Sequence, residues 1–223
     1  MTKVCLPAGT DVAEMALFDI DALPSSLPRN AEDLDQLIAG ARLIRIPTGG
    51  DGGYLLHLFV DEQMPPDMRR YCPSEDALTG DFYTSEGRIA FGGMESAFTS
   101  FKPNPNIRTD GVIEPGRYAY TAYRTEFPDE LVEQAMRVER TTLDRWIGRA
   151  PLLAALALFV AVVALAVVQQ FVAAGLALLG GVTVVKWLRR LPAYRALVAR
   201  RDEAQLAFPS VVMELKKLGK VNA

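Results

Sequence analysis

"APLLAALALFVAVVALAVVQQFVAAGLALLGGVTVV", residues 150–185, is a run of 36 residues without a charged side chain. An α-helix rises about 1.5 Å per residue, so one continuous helix of this length would measure roughly 54 Å. The hydrocarbon core of a bilayer is only about 30 Å thick. Two helices of about 17 residues, roughly 26 Å each, match the short end of the spanning range. The run therefore predicts a helical hairpin that crosses a membrane twice.

Two adjacent glutamines, Gln169 and Gln170, divide this apolar run near its middle. We expect one transmembrane helix over 151–168, a tight turn at 169–170 and a second transmembrane helix over 171–188. Small residues recur within each half at spacings that allow two helices to approach closely. They are Ala154, Ala157, Ala161 and Ala164 in the first half, and Ala173, Ala177 and Gly181 in the second.

Basic residues flank the apolar run on both sides, whereas the turn has no charge. The positive-inside rule then places both ends in the cytoplasm and the turn outside. This predicts a protein integral to the inner membrane, in contact with the lipid bilayer, with both termini cytoplasmic. A soluble pair of buried helices is the alternative, but residues 151–185 lack a polar face. The expected boundary residues are Trp146, Arg149, Lys186, Trp187, Arg189 and Arg190.

The segments that border the apolar run have amphipathic patterns. Residues 128–150 predict a stalk helix that begins at Pro128 and Asp129, with proline in its first turn. Residues 189–223 predict a basic, amphipathic helical tail whose last piece, "SVVMELKKLGK" (210–220), forms a short helix. The tail either packs against the stalk helix or lies on anionic lipid headgroups.

Residues 1–127 contain strand-length apolar pieces separated by turn residues, which predicts a soluble, mainly antiparallel β-domain of sandwich or rolled-sheet type. Glycine-rich turns at 48–53 and 85–87 predict two β-hairpins. A short helix is expected between Asn30 and Gly40. The whole chain is therefore expected to be α+β with a membrane part. The predicted strands are 14–20, 42–47, 54–60, 81–84, 88–93 and 117–127.

Charge also divides the chain. Residues 1–127 carry 19 acidic and 11 basic side chains, whereas residues 128–223 carry 8 acidic and 13 basic ones. A net acidic front domain argues against nucleic-acid binding, because phosphate contacts need a basic surface. With one histidine and two distant cysteines, no metal site and no cofactor are expected. We interpret Cys5 and Cys72 as reduced and structural.

No catalytic constellation is evident, and no motif identifies a family. The single histidine, His57, alternates with Leu55 and Phe59 on a predicted strand, and no Gly-x-Ser-x-Gly motif accompanies it. The glycines of 49–53 are interpreted as turn residues, because neither Gly-Lys-Ser/Thr nor a helix follows them.

The segment "GRYAYTAYRTEF", residues 116–127, is the strongest candidate for a binding surface. Strand alternation places tyrosine and arginine side chains on one face, and these residue types often anchor protein interfaces. Core packing is the competing interpretation for each of them. The candidate binding residues are Tyr118, Tyr120, Arg124 and Glu126.

The leading hypothesis is a non-enzymatic binding module of the bacterial inner membrane, with a protein partner on the cytoplasmic side. An immunity or accessory protein for a membrane-associated partner is its concrete form. A membrane-anchored, hydrolase-like enzyme with a site in the β-domain, using His57, Asp51 or Arg124, is one alternative. A structural subunit of a membrane complex, forming a homo-oligomer through its transmembrane helices, is the other.

Overall fold

The computed structural model describes residues 2–23, 31–97, 106–137 and 141–219. The chain divides into two compact units, residues 1–128 with 208–223 and residues 129–207. The described strands are β1 Thr2–Thr10, β2 Glu14–Asp19, β3 Leu43–Pro47, β4 Gly52–Val60, β5 Leu78–Thr84, β6 Arg88–Gly93, β7 Arg108–Val112, β8 Gly116–Arg124 and β9 Val211–Lys217. The described α-helices are α1 Ala31–Ala39, α2 Pro66–Arg69, α3 Asp129–Met136, α4 Thr142–Val167, α5 Phe171–Arg190 and α6 Pro192–Gln205.

The first unit is a β-sandwich. Its five-stranded sheet has the order β1-β4-β9-β8-β5, and its four-stranded sheet has the order β3-β2-β6-β7. All the described strand pairs are antiparallel except β4 with β9. The main core lies between the sheets, with Leu17 and Phe91 from one sheet and Leu56, Phe82 and Met213 from the other. The chain is thus α+β, with a sheet-rich domain and two long apolar helices.

Each sheet also has a covered outer face. Helix α1 lies over the four-stranded sheet, where Leu34 and Leu37 pack against Phe18. A smaller cluster forms on the outer face of the five-stranded sheet, where Met68 of α2 packs near Phe59. Because side chains alternate along each strand, one set packs between the two sheets and the other set packs on the outer faces of the sheets.

Strand β9 is the main departure from the sequence prediction. The predicted helix in 210–220 is wrong, because Val211–Lys217 forms a strand between β4 and β8. Val211 and Met213 face the main core, and Val212 faces the outer cluster. A short, continuous apolar run with two valines is typical of a strand that is buried on both faces.

The two predicted hairpins are also wrong. Strands β3 and β4 lie in different sheets, and so do β5 and β6. The glycines nevertheless serve as turn residues, since Gly49 and Gly87 have φ of 74° and 76°. A local turn signal shows that the chain reverses there, but the burial of each strand determines its pairing partner. Strands β1 and β7 were not among the predicted strands.

The second unit is an insertion between two paired strands. The backbone N–H of Thr125, just after β8, donates to the carbonyl of Ser210, just before β9, at 3.2 Å. The rings of Phe127 and Phe208 are 5.1 Å apart between centroids. The chain therefore leaves the sandwich and returns to it at neighbouring strand ends.

The helical unit contains α4 and α5, which run antiparallel and are joined at residues 168–170. Helix α4 has 26 residues and α5 has 20, about 39 Å and 30 Å at 1.5 Å per residue. The predicted continuous stalk helix over 128–150 is interrupted. Helix α3 ends at Met136, and a capping box between Thr141 and Asp144 begins α4.

Candidate functional site

Helices α4 and α5 are long and apolar enough to cross a membrane. Of the most apolar 18-residue stretch of each helix, only 6% is buried inside the protein. Large side chains such as Phe159 (65% exposed) and Val172 (80% exposed) therefore point away from the protein. Exposed apolar surface costs about 25 cal/mol per Å² in water, so this surface is suited to apolar surroundings.

The two long helices pack through small residues. A Cβ added to Gly181 would lie 2.4 Å from the side chain of Leu158, so a larger residue at this position would force that side chain to move. Ala173, Ala177 and Gly181 are all partly buried, as their spacing predicted. On α4 the facing positions are shifted, because Leu158 and Val162 face α5 where Ala157 and Ala161 were expected. Within residues 152–167 of α4, the other partly buried positions are Ala154 and Leu165.

The predicted turn at Gln169 and Gln170 has a defined geometry. Gln169 adopts a left-handed conformation with φ of 60°. The N–H of Gln170 donates to the carbonyl of Leu165 at 2.9 Å, and that of Gln169 to Ala166 at 3.0 Å. This pair of bonds is the Schellman arrangement that ends many helices, with glutamine at the position where glycine is most common.

The predicted boundary residues gather at the end of the hairpin away from this turn. Trp146 and Trp187 are 63% and 60% exposed. Arg149 on α4, and Lys186, Arg189 and Arg190 on α5, are exposed as well. Cationic and aromatic side chains thus alternate at this end of each helix, with Arg149 and Trp146 on α4 and Lys186 and Trp187 on α5. Both residue types are common at a membrane–water interface.

An apolar cavity of about 450 Å³ opens at this end of the helical unit. Side chains of α4, the end of α5, the residue between α5 and α6, and α6 line it. They are Trp146, Ile147, Ala150, Leu153, Leu188, Leu191 and Tyr194.

A groove of about 750 Å³ lies on the outer face of the five-stranded sheet. Strands β8 and β9 form its floor, and the segment from the end of β4 to α2 forms its wall. Its lining contains acidic and basic side chains and two small residues, Ala119 and Thr121. The lining residues are Asp61, Glu62, Gln63, Met64, Pro66, Arg69, Ala119, Thr121, Glu214, Leu215 and Lys216.

Glu214 connects the floor of this groove to its wall. Its Oε1 accepts a hydrogen bond from the backbone N–H of Met64 at 2.8 Å. Its Oε2 lies 3.5 Å from the guanidinium of Arg69, which stacks on the ring of Tyr123. Asp61 accepts the N–H of Lys217 at 2.6 Å. Glu214 and Asp61 therefore hold the groove in shape. Lys216, which also lines the groove, is exposed.

The two cysteines are both free thiols. Cys5 is exposed, whereas Cys72 packs in the cluster behind the groove. Burial raises the pKa of the Cys72 thiol, Arg69 opposes that shift and Glu214 adds to it. A buried thiol with a raised pKa is protonated near neutral pH and is a poor nucleophile.

The four candidate binding residues of β8 and its continuation do not form one surface. Tyr118 is fully buried in the main core, and its hydroxyl donates to the carbonyl of Glu114. Burial raises the pKa of Tyr118 to about 12, and burial also raises the pKa of Tyr120, which packs against the same core. Arg124 is exposed, and the backbone N–H of Glu126 donates to Tyr71 at 2.9 Å. Alternation along β8 was predicted correctly, but the face with Tyr118 points into the sandwich.

The residues considered for catalysis are not brought together. His57 is buried on β4 on the face opposite Leu56 and Leu58, which belong to the main core. Arg124 shares the core-facing side of β8 with Ala122, and Asp51 is exposed in the turn before β4. Within the part of the chain that the structure describes, no three His, Cys, Asp or Glu side chains are grouped to hold a metal ion.

Neither a protein family model nor a curated protein sequence matches this chain. Among solved structures, "Crocagin biosynthetic gene J" is similar over 55% of this chain and 75% of its own, with 15% identity and a TM-score of 0.40. ComJ of Bacillus subtilis, an inhibitor of the DNA-degrading activity of NucA, is similar over 64% of this chain and 87% of its own, with 13% identity and a TM-score of 0.35. At these scores neither similarity assigns a family to the chain.

Proposed function

We propose that this protein is a non-enzymatic binding module whose α4–α5 hairpin anchors it in the bacterial inner membrane. The observation that carries the proposal is the insertion of two exposed apolar helices between the paired strands β8 and β9. Because β8 and β9 belong to one folded sheet, both ends of the insertion stay on one side of the membrane. The chain then crosses the bilayer an even number of times, as a hairpin does.

The cationic residues beside the helices support a cytoplasmic location for the sandwich. Arg149 and Arg190 lie at the end of the hairpin that is connected to the rest of the chain, whereas the turn at 168–170 has no charge. Positive residues close to membrane spans favour the cytoplasmic side. Both termini would then be cytoplasmic.

The groove on the five-stranded sheet is our candidate surface for a protein partner. It offers donors and acceptors of both charge signs over a rigid floor, which suits a polar protein segment. The sandwich unit, residues 1–128 with 208–223, carries 20 acidic and 14 basic side chains. A net acidic domain attracts a partner with a basic surface over long range.

A photo-crosslinking amino acid tests this proposal when it replaces Thr121 in the groove. We expect one discrete adduct with a membrane-associated protein, which mass spectrometry identifies. The same amino acid at Arg45, on β3 of the other sheet, is the matched control and should give no such adduct. Glu62→Lys reverses an acidic charge in the groove lining and should reduce the adduct severalfold, because the proposed partner is basic.

Membrane anchoring is tested in the same preparation. The protein should stay in the membrane fraction during alkaline carbonate extraction and leave it only in detergent. Release by carbonate would contradict the membrane hairpin. Identical adducts from positions 121 and 45, or adducts insensitive to Glu62→Lys, would contradict the groove as the binding surface.

A further inference from the structure

Five arginines flank residues that line the apolar cavity of the helical unit. Each is adjacent in sequence to a residue that lines the cavity, and each is exposed. None of the five forms an ion pair within the described residues, whereas the nearby carboxylate of Asp144 is paired with Arg200. We call these five residues the arginine collar. They are Arg145, Arg149, Arg189, Arg190 and Arg195.

The arginine collar and the apolar cavity together indicate which kind of ligand would bind here. The cavity lining is almost entirely apolar, with Trp146 and Tyr194 contributing aromatic rings. A guanidinium group binds a phosphate through two parallel hydrogen bonds. The complementary ligand is an amphiphile with a hydrocarbon tail and an anionic phosphate head.

We propose that the cavity and the arginine collar form a binding site for an anionic phospholipid. One acyl chain occupies the cavity between Trp146 and Leu191, and the headgroup phosphate binds the collar. The proposal rests on the membrane insertion of the hairpin, because a lipid reaches the cavity only if Leu153 and Leu188 lie at bilayer depth. The site would therefore select a particular lipid, beyond serving as a general anchor.

Collar and cavity have separate roles in this site. The collar provides the preference for negative headgroups, since each cation close to an anionic membrane surface strengthens binding roughly five-fold. The cavity provides a fixed position for that lipid, because its aromatic and aliphatic walls extend the apolar surface of α4 and α5. Lipids along the rest of the hairpin have no such collar and should exchange without headgroup preference.

The experiment uses the two tryptophans of the chain, Trp146 and Trp187. Trp146 lines the cavity and Trp187 does not. Trp187→Phe therefore leaves a reporter inside the site, and Trp146→Phe leaves one outside it. The full-length protein is placed in mixed vesicles of phosphatidylglycerol and phosphatidylcholine, in which only one of the two lipids carries brominated chains that quench tryptophan fluorescence.

We expect brominated phosphatidylglycerol to quench Trp146 about three-fold or more as effectively as brominated phosphatidylcholine does at equal mole fraction. The corresponding ratio for Trp187 should be clearly smaller. Arg149→Gln with Arg190→Gln should bring the Trp146 ratio close to one. Arg45→Gln with Arg137→Gln removes the same charge outside the collar and should leave the ratio unchanged.

Equal quenching of Trp146 by the two brominated lipids would overturn the lipid site while leaving the membrane hairpin intact. An unchanged ratio in the collar variant would overturn it as well. If neither brominated lipid quenches either tryptophan, the hairpin is outside the bilayer, and the proposed membrane anchoring fails together with the lipid site.

Discussion

Asp19 at the end of β2 is a fully buried carboxylate that holds three chain segments together. It forms an ion pair with Arg42, which precedes β3, and accepts a hydrogen bond from Thr84 at 3.0 Å. Thr84 in turn accepts the backbone N–H of Gly87 at 3.0 Å. The sequence marks residues 85–87 only as a turn, and nothing in it indicates that a buried ion pair fixes this turn. Such a network depends on pairing across the fold.

Asp19→Ala should lower the free energy of unfolding of the sandwich by about 2–4 kcal/mol. The substitution leaves Arg42 without its partner, and the expected loss of unfolding free energy is moderated because 26% of the Arg42 side chain is exposed. Chemical denaturation followed by circular dichroism measures the free energy of unfolding. Asp21→Ala, which removes the exposed partner of Arg88, is the control and should have little effect. Equal losses in both variants would contradict a structural role specific to Asp19.

The buried hydroxyl of Tyr118 should make the folded state less stable at alkaline pH. Burial raises the pKa of its hydroxyl to about 12 from 10, so the folded state holds this proton more tightly than the unfolded chain does. The resulting stability is complete below pH 10 and declines as the pH rises from about 10 toward 12. Tyr118→Phe should make the decline in unfolding free energy over this range less steep. An identical pH profile for both proteins would contradict this assignment.

At the scale of elements, the long apolar run determined its own structure, whereas the strands depended on distant partners. Residues 151–185 form a long apolar run with a polar break at the two glutamines, so the helical hairpin was predictable. β9 was not, because "VVMELKK" fits a short helix as well as a strand until β4 and β8 lie on either side of it. The interrupted stalk helix had a local signal in Thr141 and Asp144, a capping pair that could have been recognised.

The binding residues predicted on and after β8 do not form one surface for the same reason, because a strand's environment depends on distant partners. Alternation separated Tyr118 from Tyr123 correctly, but it does not state which face meets a second sheet. The groove was missed because its lining comes from β8, β9 and the segment after β4, and β9 had been assigned to a helix. Once β9 is a strand, Glu214 and Lys216 appear on the outer face by simple alternation.

Gly181 predicts how closely α4 and α5 approach. Gly181→Leu should destabilise the hairpin by about 1–3 kcal/mol, because the new side chain overlaps Leu158. Thermal unfolding of the full chain in detergent measures the effect. Gly180→Leu is the matched control, because nothing lies within 4 Å of a Cβ at Gly180. A larger loss from Gly180→Leu than from Gly181→Leu would contradict the packing described for the hairpin.

At the scale of the whole molecule, the sandwich is completed by residues on both sides of the helical insertion. A chain of residues 1–128 alone lacks β9, the strand between β4 and β8. The two halves of the sandwich meet at Thr125 and Ser210, so very little chain is needed to connect them. Folding of the sheet is thereby linked to complete synthesis of the hairpin.

Replacing residues 129–207 by a five-residue Gly/Ser linker should give a soluble sandwich with a cooperative unfolding transition. Five extended residues reach about 17 Å, which is ample for strand ends this close. Residues 1–128 alone should lack that transition, because β4 and β8 lose the strand between them. Circular dichroism during heating compares the two proteins. Equal cooperativity in both would contradict the essential position of β9.

In the proposed topology the hairpin crosses the membrane twice and the chain returns to the sheet that it left. Single cysteines at Glu130, Gln170 and Gly219, in a background with Cys5→Ser and Cys72→Ala, test it through labelling of intact spheroplasts by a membrane-impermeant maleimide. We expect Gln170→Cys to be labelled in intact spheroplasts, and Glu130→Cys and Gly219→Cys to be labelled only after the membrane is permeabilised. Labelling of positions 130 and 219 from opposite sides, or of position 170 from the same side as both, would contradict it.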